Sequence, residues 1–137
     1  MTHIKTLADL RKRCQEWDGI AGRYRRNLIG DISLVLGLVP NGYNQREEDK
    51  FWNMIIVRRW SSRLLLTSLD AIDAATRKLA SGWWPVSLVE GTSKVRFSLM
   101  RTKGRVYEYG VGPTEARARL DALMAVLIFE AQEKETP

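Results

Sequence analysis

The reading of the fold turns on one stretch: Trp84-Pro85-Val86-Ser87-Leu88, the break Glu90-Gly91-Thr92-Ser93, then Lys94-Val95-Arg96-Phe97-Ser98-Leu99, the break Thr102-Lys103-Gly104, and Arg105-Val106-Tyr107-Glu108-Tyr109. Apolar residues stand at every second position here, at Trp84, Val86 and Leu88 and again at Val95, Phe97 and Leu99. Successive side chains of an extended strand point to opposite faces, so this period predicts strands with one buried face. Both breaks are too short for a crossover, which makes the strands antiparallel and the unit a three-stranded meander. Gly110-Val111-Gly112-Pro113-Thr114 closes it, and Pro113 suits the first turn of a following helix.

Outside the meander the apolar period lengthens to three or four. A final helix is expected over 114–132, burying Ala116, Leu120, Leu123, Met124, Leu127 and Ala131. Upstream, Thr67-Ser68-Leu69-Asp70 reads as a capping box for a helix with the face Leu69, Ile72, Ala75 (or Thr76) and Leu79, stopped by Ser81-Gly82. Nearer the start, Leu7, Leu10, Cys14 and Trp17 give a helix over 6–17, capped by Thr6 with Asp9. A second helix over 26–37 follows, with Leu28, Ile29, Ile32, Val35 and Leu36, and Pro40-Asn41-Gly42 ends it. The connection between these two is short enough for them to pack as a hairpin.

The middle of the chain is a polar loop over 40–50, with the charge run Arg46-Glu47-Glu48-Asp49-Lys50, and then Phe51-Trp52-Asn53-Met54-Ile55-Ile56-Val57. The latter reads as a buried strand, with a helical turn as the alternative, and Leu64-Leu65-Leu66 extends or pairs with it. The expected fold is thus α/β of the α+β type: an antiparallel sheet of three or four strands layered between helices, an α-β-α sandwich. It forms one domain over 1–137, made of an N-terminal helical pair (1–39), a variable segment (40–66) and a helix, meander and helix (67–133).

Composition agrees. With 137 residues, 45% of them apolar and 28% charged, the chain suits one core and needs neither metal nor disulfide to fold. Cys14 is the sole cysteine, so an intrachain disulfide and a thiolate zinc cluster are excluded, and a reducing, cytoplasmic site is the default. The opening Met1-Thr2-His3-Ile4-Lys5 is no secretory signal, and Asn53, Arg58 and Arg59 interrupt the longest apolar run, so no membrane span is expected.

Catalytic groupings are scarce. His3 is the sole histidine and lies at the terminus, which argues against a Ser-His-Asp arrangement or a His-ligated metal. Cys14 falls on an apolar helix face, where a thiol is inert. Asp70 and Asp73 share a helix face, but Asp70 already belongs to the capping box, and charges in a first turn favour the helix dipole. Gly110-Val111-Gly112-Pro113 fails as a phosphate loop because proline removes a donor amide. No catalytic residue, metal ligand or cofactor is assigned.

Arginines and tryptophans stand out instead. The net charge is +6, of which the first 30 residues carry +4. Arg11-Lys12-Arg13, Arg23-Tyr24-Arg25-Arg26 and Arg58-Arg59-Trp60 with Arg63 form three basic clusters, two with an aromatic inside. A guanidinium beside a ring can hold a phosphate while the ring stacks on a base, so Arg23, Tyr24, Arg25, Arg26, Arg58, Arg59 and Arg63 are the candidate anion-binding residues. A solvated helix face is the plainer account of such charge runs. Five tryptophans are many for one small core. Adjacent Trp83 and Trp84 must face opposite sides of a strand, and Trp52, Trp60 and Trp83 are the candidate interface residues, in a partner contact or a homo-oligomer.

The run Arg26-Asn27-Leu28-Ile29-Gly30-Asp31-Ile32-Ser33-Leu34-Val35-Leu36-Gly37, the helix opening Thr67-Ser68-Leu69-Asp70-Ala71, the strand start Gly82-Trp83-Trp84 and the helix entry Gly112-Pro113-Thr114 together resemble the phage ABA sandwich proteins, small proteins of phages and prophages. That resemblance implies a phage origin and an α-β-α layering, and no reaction. Where the family has Arg-Glu-Leu-Asp this chain has Arg26-Asn27-Leu28-Ile29, so no role for those acids carries over, and 41–63 has no counterpart. The expectation is a non-catalytic phage accessory protein in the bacterial cytoplasm. It would act by binding, sequestering or inhibiting a host or defence component or its anionic nucleotide signal. Nucleic-acid binding through the Arg clusters is the alternative, and a structural virion component the third.

Overall fold

The computed structural model describes residues 2–17, 28, 31–32 and 69–135. They form the helix α1 (Thr2–Glu16), the helix α2 (Leu69–Leu79), the strands β1 (Trp83–Glu90), β2 (Val95–Arg101) and β3 (Val106–Gly112), and the helix α3 (Glu115–Glu135). The strands make one antiparallel sheet in the order β1-β2-β3, the meander read from the two-residue period. The chain is α+β, as expected. The fourth strand and most of the 26–37 helix fall outside the described residues; of the latter, Leu28, Asp31 and Ile32 are described and helical.

Register explains which side of the sheet is covered. Phe97 and Leu99 are buried, and opposite them on β3 stand Gly110 and Glu108. This inner face carries α3, which lies on β3 and β2, while α1 and α2 pack on α3. Gly110 and Gly112 make the contact possible. A Cβ on Gly110 would stand 2.1 Å from the Ala122 amide nitrogen and 2.3 Å from the Ala118 carbonyl oxygen, so the strand rests directly on the helix backbone. Sandwiched this way, α3 buries consecutive residues from Leu120 to Val126, where an amphipathic helix would bury one stripe. The predicted Leu120, Leu123 and Met124 are among them, but so are Ala122 and Val126, and Ala118 is buried as well.

Local chemistry moves several element ends from their predicted places. Thr114 Oγ1 accepts the Arg117 amide at 3.2 Å and caps α3, so Pro113 precedes the cap and does not enter the first turn. The first helix starts at Thr2, since nothing in His3-Ile4-Lys5 breaks a helix, and Thr6 therefore lies inside it and not at its start. Its buried face is the predicted one: Leu7, Leu10 and Cys14, with Trp17 following. At its far end Arg117 Nη2 donates to the carbonyls of Cys14 (2.8 Å) and Trp17 (2.6 Å), with the guanidinium 5.0 Å from the Trp17 ring, so a residue of α3 satisfies the last-turn carbonyls of α1. Asp73 pairs with Arg77 at 2.9 Å one turn on, which gives that carboxylate a structural role.

Candidate binding surface

The predicted alternation of Trp84, Val86 and Leu88 breaks at a register shift between Pro85 and Ser87. An extra residue at such a bulge turns the following side chains to the opposite face. Trp84 therefore pairs with Met100 on the outer face, whereas Leu88 pairs with Phe97 on the inner one. Three cross-strand rows result on the outer face: Trp84, Met100 and Tyr107; Ser87, Ser98 and Tyr109; Val89, Arg96 and Val111. Trp84 is 59% exposed, Tyr107 62% and Tyr109 49%. The Arg96 guanidinium lies 4.0 Å from the centre of the Tyr109 ring.

Charge on the sheet is segregated. The meander holds Lys94, Arg96, Arg101, Lys103 and Arg105 against Glu90 and Glu108. Both acids stand in inner-face register, Glu90 opposite Val95 and Glu108 opposite Leu99. Arg101 is also inward and committed, donating to both carboxylate oxygens of Glu133 at 2.7 Å beside the Trp83 and Phe129 rings. Arg96 is left on the outer face, with exposed Lys94 in one turn and exposed Lys103 and Arg105 in the other. Among the described residues the outer face therefore presents these rings with Arg96 and no carboxylate, while the turns at the two strand ends hold exposed Lys94, next to exposed Glu90, and exposed Lys103 and Arg105. Half-buried Glu108 pays for its inward position: desolvation raises its carboxyl above the ordinary value, with Arg11 pulling the other way.

A second cluster lies at the edge of β3. Asp121 is the buried charged residue among those described. Its carboxylate accepts from Arg11 Nε (2.9 Å) and Nη2 (3.2 Å), Gln15 Nε2 (2.9 Å) and the Val111 amide (2.9 Å). Arg11 Nη2 also reaches the Tyr109 carbonyl at 3.4 Å. The ion pair thus takes one donor and one acceptor from the edge of β3 that faces away from β2, as a neighbouring strand would. Beside it is a cleft of about 320 Å³ lined in part by Cys14, Ser93, Lys94, Arg117 and Asp121. Its thiol is no nucleophile, because burial pushes the Cys14 pKa up to about 12.

Of the residues singled out from sequence, Arg23, Tyr24, Arg25, Arg26, Arg58, Arg59, Arg63, Trp52 and Trp60 lie outside the described residues. Trp83, expected at an interface, is 4% exposed and belongs to this chain's own core. Its Nε1 donates to Glu130 at 2.7 Å and its ring meets Phe129 edge-on at 5.9 Å. The exposed member of the tryptophan pair is Trp84. Sequence reading passed over Arg96, Tyr107 and Tyr109, although their signal was present: each sits one step out of phase with Phe97, Leu99 and Glu108. Among the described residues no cluster of His, Cys, Asp or Glu could hold a metal, and no helix is long and apolar enough to cross a membrane. No family model, no curated protein and no solved structure matches this chain.

Proposed function

We propose that this chain works by binding and not by turnover, and that the outer sheet face is its docking surface. One observation carries the reading: three exposed aromatic rings share a face with Arg96 and, among the described residues, with no acid. Trp, Tyr and Arg are the residues that dominate binding energy where they meet a partner, and exposed apolar surface of this kind is seldom left without a use. In the setting suggested by the resemblance to phage proteins, the chain is an accessory protein that captures a host or defence component, or an anionic nucleotide signal, within the bacterial cell.

Native mass spectrometry of gently purified protein at low salt tests this. The wild-type chain should retain a ligand that a Trp84→Ala, Arg96→Gln, Tyr109→Ala variant of unchanged urea midpoint loses. Equal retention by that variant, or turnover of nucleotides or nucleic acid abolished by arginine substitutions, would refute the reading. A second reading, nucleic-acid binding, is favoured by the cations at both ends of the ring rows. A virion component is the third, and it predicts large homomeric assemblies without ligand.

A further inference from the structure

Resting on the reading of the outer face as a docking surface, and taking the second of the partners named for it, we infer that this partner is single-stranded nucleic acid, bound over the sheet by stacking on Tyr107, Tyr109 and Trp84 and by phosphate contacts to Arg96 and the turn cations. The geometry is that of a platform. Tyr107 and Tyr109 lie on the same face two residues apart, about 7 Å along β3, and Trp84 stands two strands from Tyr107, about 10 Å across. Every base offers a flat face to such rings whatever its sequence. Lys103 and Arg105 lie at one end of this track and Lys94 and Arg96 at the other, about 20 Å apart along β2, so a backbone laid over the rings meets cations at entry and exit.

Charge complementarity selects this occupant over a second copy of the chain. A two-fold contact through the same face would bring Arg96 and the turn cations of two copies together, with no carboxylate of the described outer-face residues to pair them. A duplex fits less well than a single strand, because its bases are already stacked on one another and cannot reach the rings.

The test uses the full chain with fluorescein-labelled 12-nucleotide oligo(dT) and oligo(rU), and a duplex of the same length, at several NaCl concentrations. Single strands should bind more tightly than the duplex, with affinity falling steeply as salt rises. Replacing Tyr107, Tyr109 or Trp84 by Ala should weaken single-strand binding about tenfold or more each, and Arg96→Gln should flatten the salt slope. Oligo(dT) and oligo(rU) binding alike marks stacking alone; a preference for one marks contacts to the sugar or to the thymine methyl, and both outcomes keep the inference. Failure of every single strand to bind at 50 mM NaCl, or unchanged affinity in the ring variants, overturns it.

Tyrosine iodination and tryptophan oxidation of the free chain, read by peptide mass, separate this failure from that of the underlying reading. Trp84, Tyr107 and Tyr109 reactive and protected by oligonucleotide support the inference. Reactive and unprotected, they leave a docking face with another partner, such as an acidic protein, and the inference falls alone. Unreactive in the free chain, they are already covered, by another part of the chain or a second copy, and both readings fall.

Discussion

Substituting alanine for single glycines should separate the contact that builds this fold from its surroundings. At Gly110 the added Cβ would lie 2.1 Å from the Ala122 nitrogen, 2.3 Å from the Ala118 oxygen and 2.7 Å from the Asp121 carbonyl carbon. All three are backbone atoms, so no side chain can rotate away. Ordinary contact begins at 3.4 Å, so strand and helix must part by about 1.3 Å. A gap of 0.5–1 Å already forfeits about a quarter to a half of the dispersion attraction between facing atoms, and α3 is the element on which the sheet, α1 and α2 all pack. Overpacking ordinarily costs about 1–3 kcal/mol. With backbone on both sides the cost here should exceed about 3 kcal/mol, a large part of a domain's usual stability of roughly 5–15 kcal/mol. At Gly112 the nearest atoms stand at 2.8 and 3.0 Å, so the loss should be smaller. Nothing lies within 4 Å of a Cβ at Gly82, and Gly82→Ala should be neutral or stabilising by a few tenths of a kcal/mol. Urea unfolding followed by tryptophan fluorescence gives the order directly. A Gly110→Ala protein within about 1 kcal/mol of wild type would refute the claim that strand and helix meet backbone to backbone.

Other outcomes follow from the same contacts. Asp121→Ala strands a half-buried Arg11 and the Val111 amide together, and should cost about 3–5 kcal/mol by urea unfolding. With the edge of β3 uncovered, the Arg11→Met, Asp121→Leu double variant should associate with rising concentration in sedimentation velocity where the wild type does not. The two perturbed glutamates predict opposite pH effects. Arg101 lowers the Glu133 carboxyl below its ordinary 4.5, so that pair stabilises above pH 4.5 and is lost as pH falls through the lowered value. Burial raises Glu108 above 4.5, so its contribution is full below 4.5 and is lost as pH rises through the raised value. Glu108→Gln should therefore raise the melting temperature at pH 7 but not at pH 3, and Glu133→Gln should lower it at pH 7 but not well below pH 4. Native Cys14, with its pKa near 12, should resist iodoacetamide at pH 8 until urea unfolds the chain.

Legibility in the sequence followed the range over which each signal acts. The meander was plain because Val95, Phe97 and Leu99 announce their face by alternation alone, and both turns carry their own chemistry, with Gly104 at a φ of 83° in the second. The face of α1 was legible for the same reason, at period three to four. What escaped depends on contacts between distant parts of the chain. The burial of α3 on all sides cannot be read from its own period, because it follows from what packs on each flank. Asp121 looked like an unremarkable helix acid, and only the approach of Arg11 and Gln15, more than 100 residues away, makes it the anchor of an edge. The bulge after Pro85 shifted Leu88 to the opposite face from Trp84, and one extra residue leaves no mark in a hydrophobic pattern.

The uneven fate of the arginines bears on function more than their number does. Arg11, Arg101 and Arg117 are each absorbed by a carboxylate or by helix-end carbonyls, and Arg119 pairs with Glu115 while lying 4.4 Å from the centre of the Phe97 ring. Those interactions hold the chain together, and an overall charge of +6 counts them equally with the rest. Arg96 differs, since its guanidinium rests on an exposed tyrosine and faces outward from the middle strand. A cation on a ring in water is worth little to the fold, about 0.5–1 kcal/mol. Arg96→Gln should thus leave the urea midpoint nearly unchanged. The arrangement costs the chain little to keep and little to lose, so a strong effect of that substitution on binding would have to come from the partner's contact with Arg96.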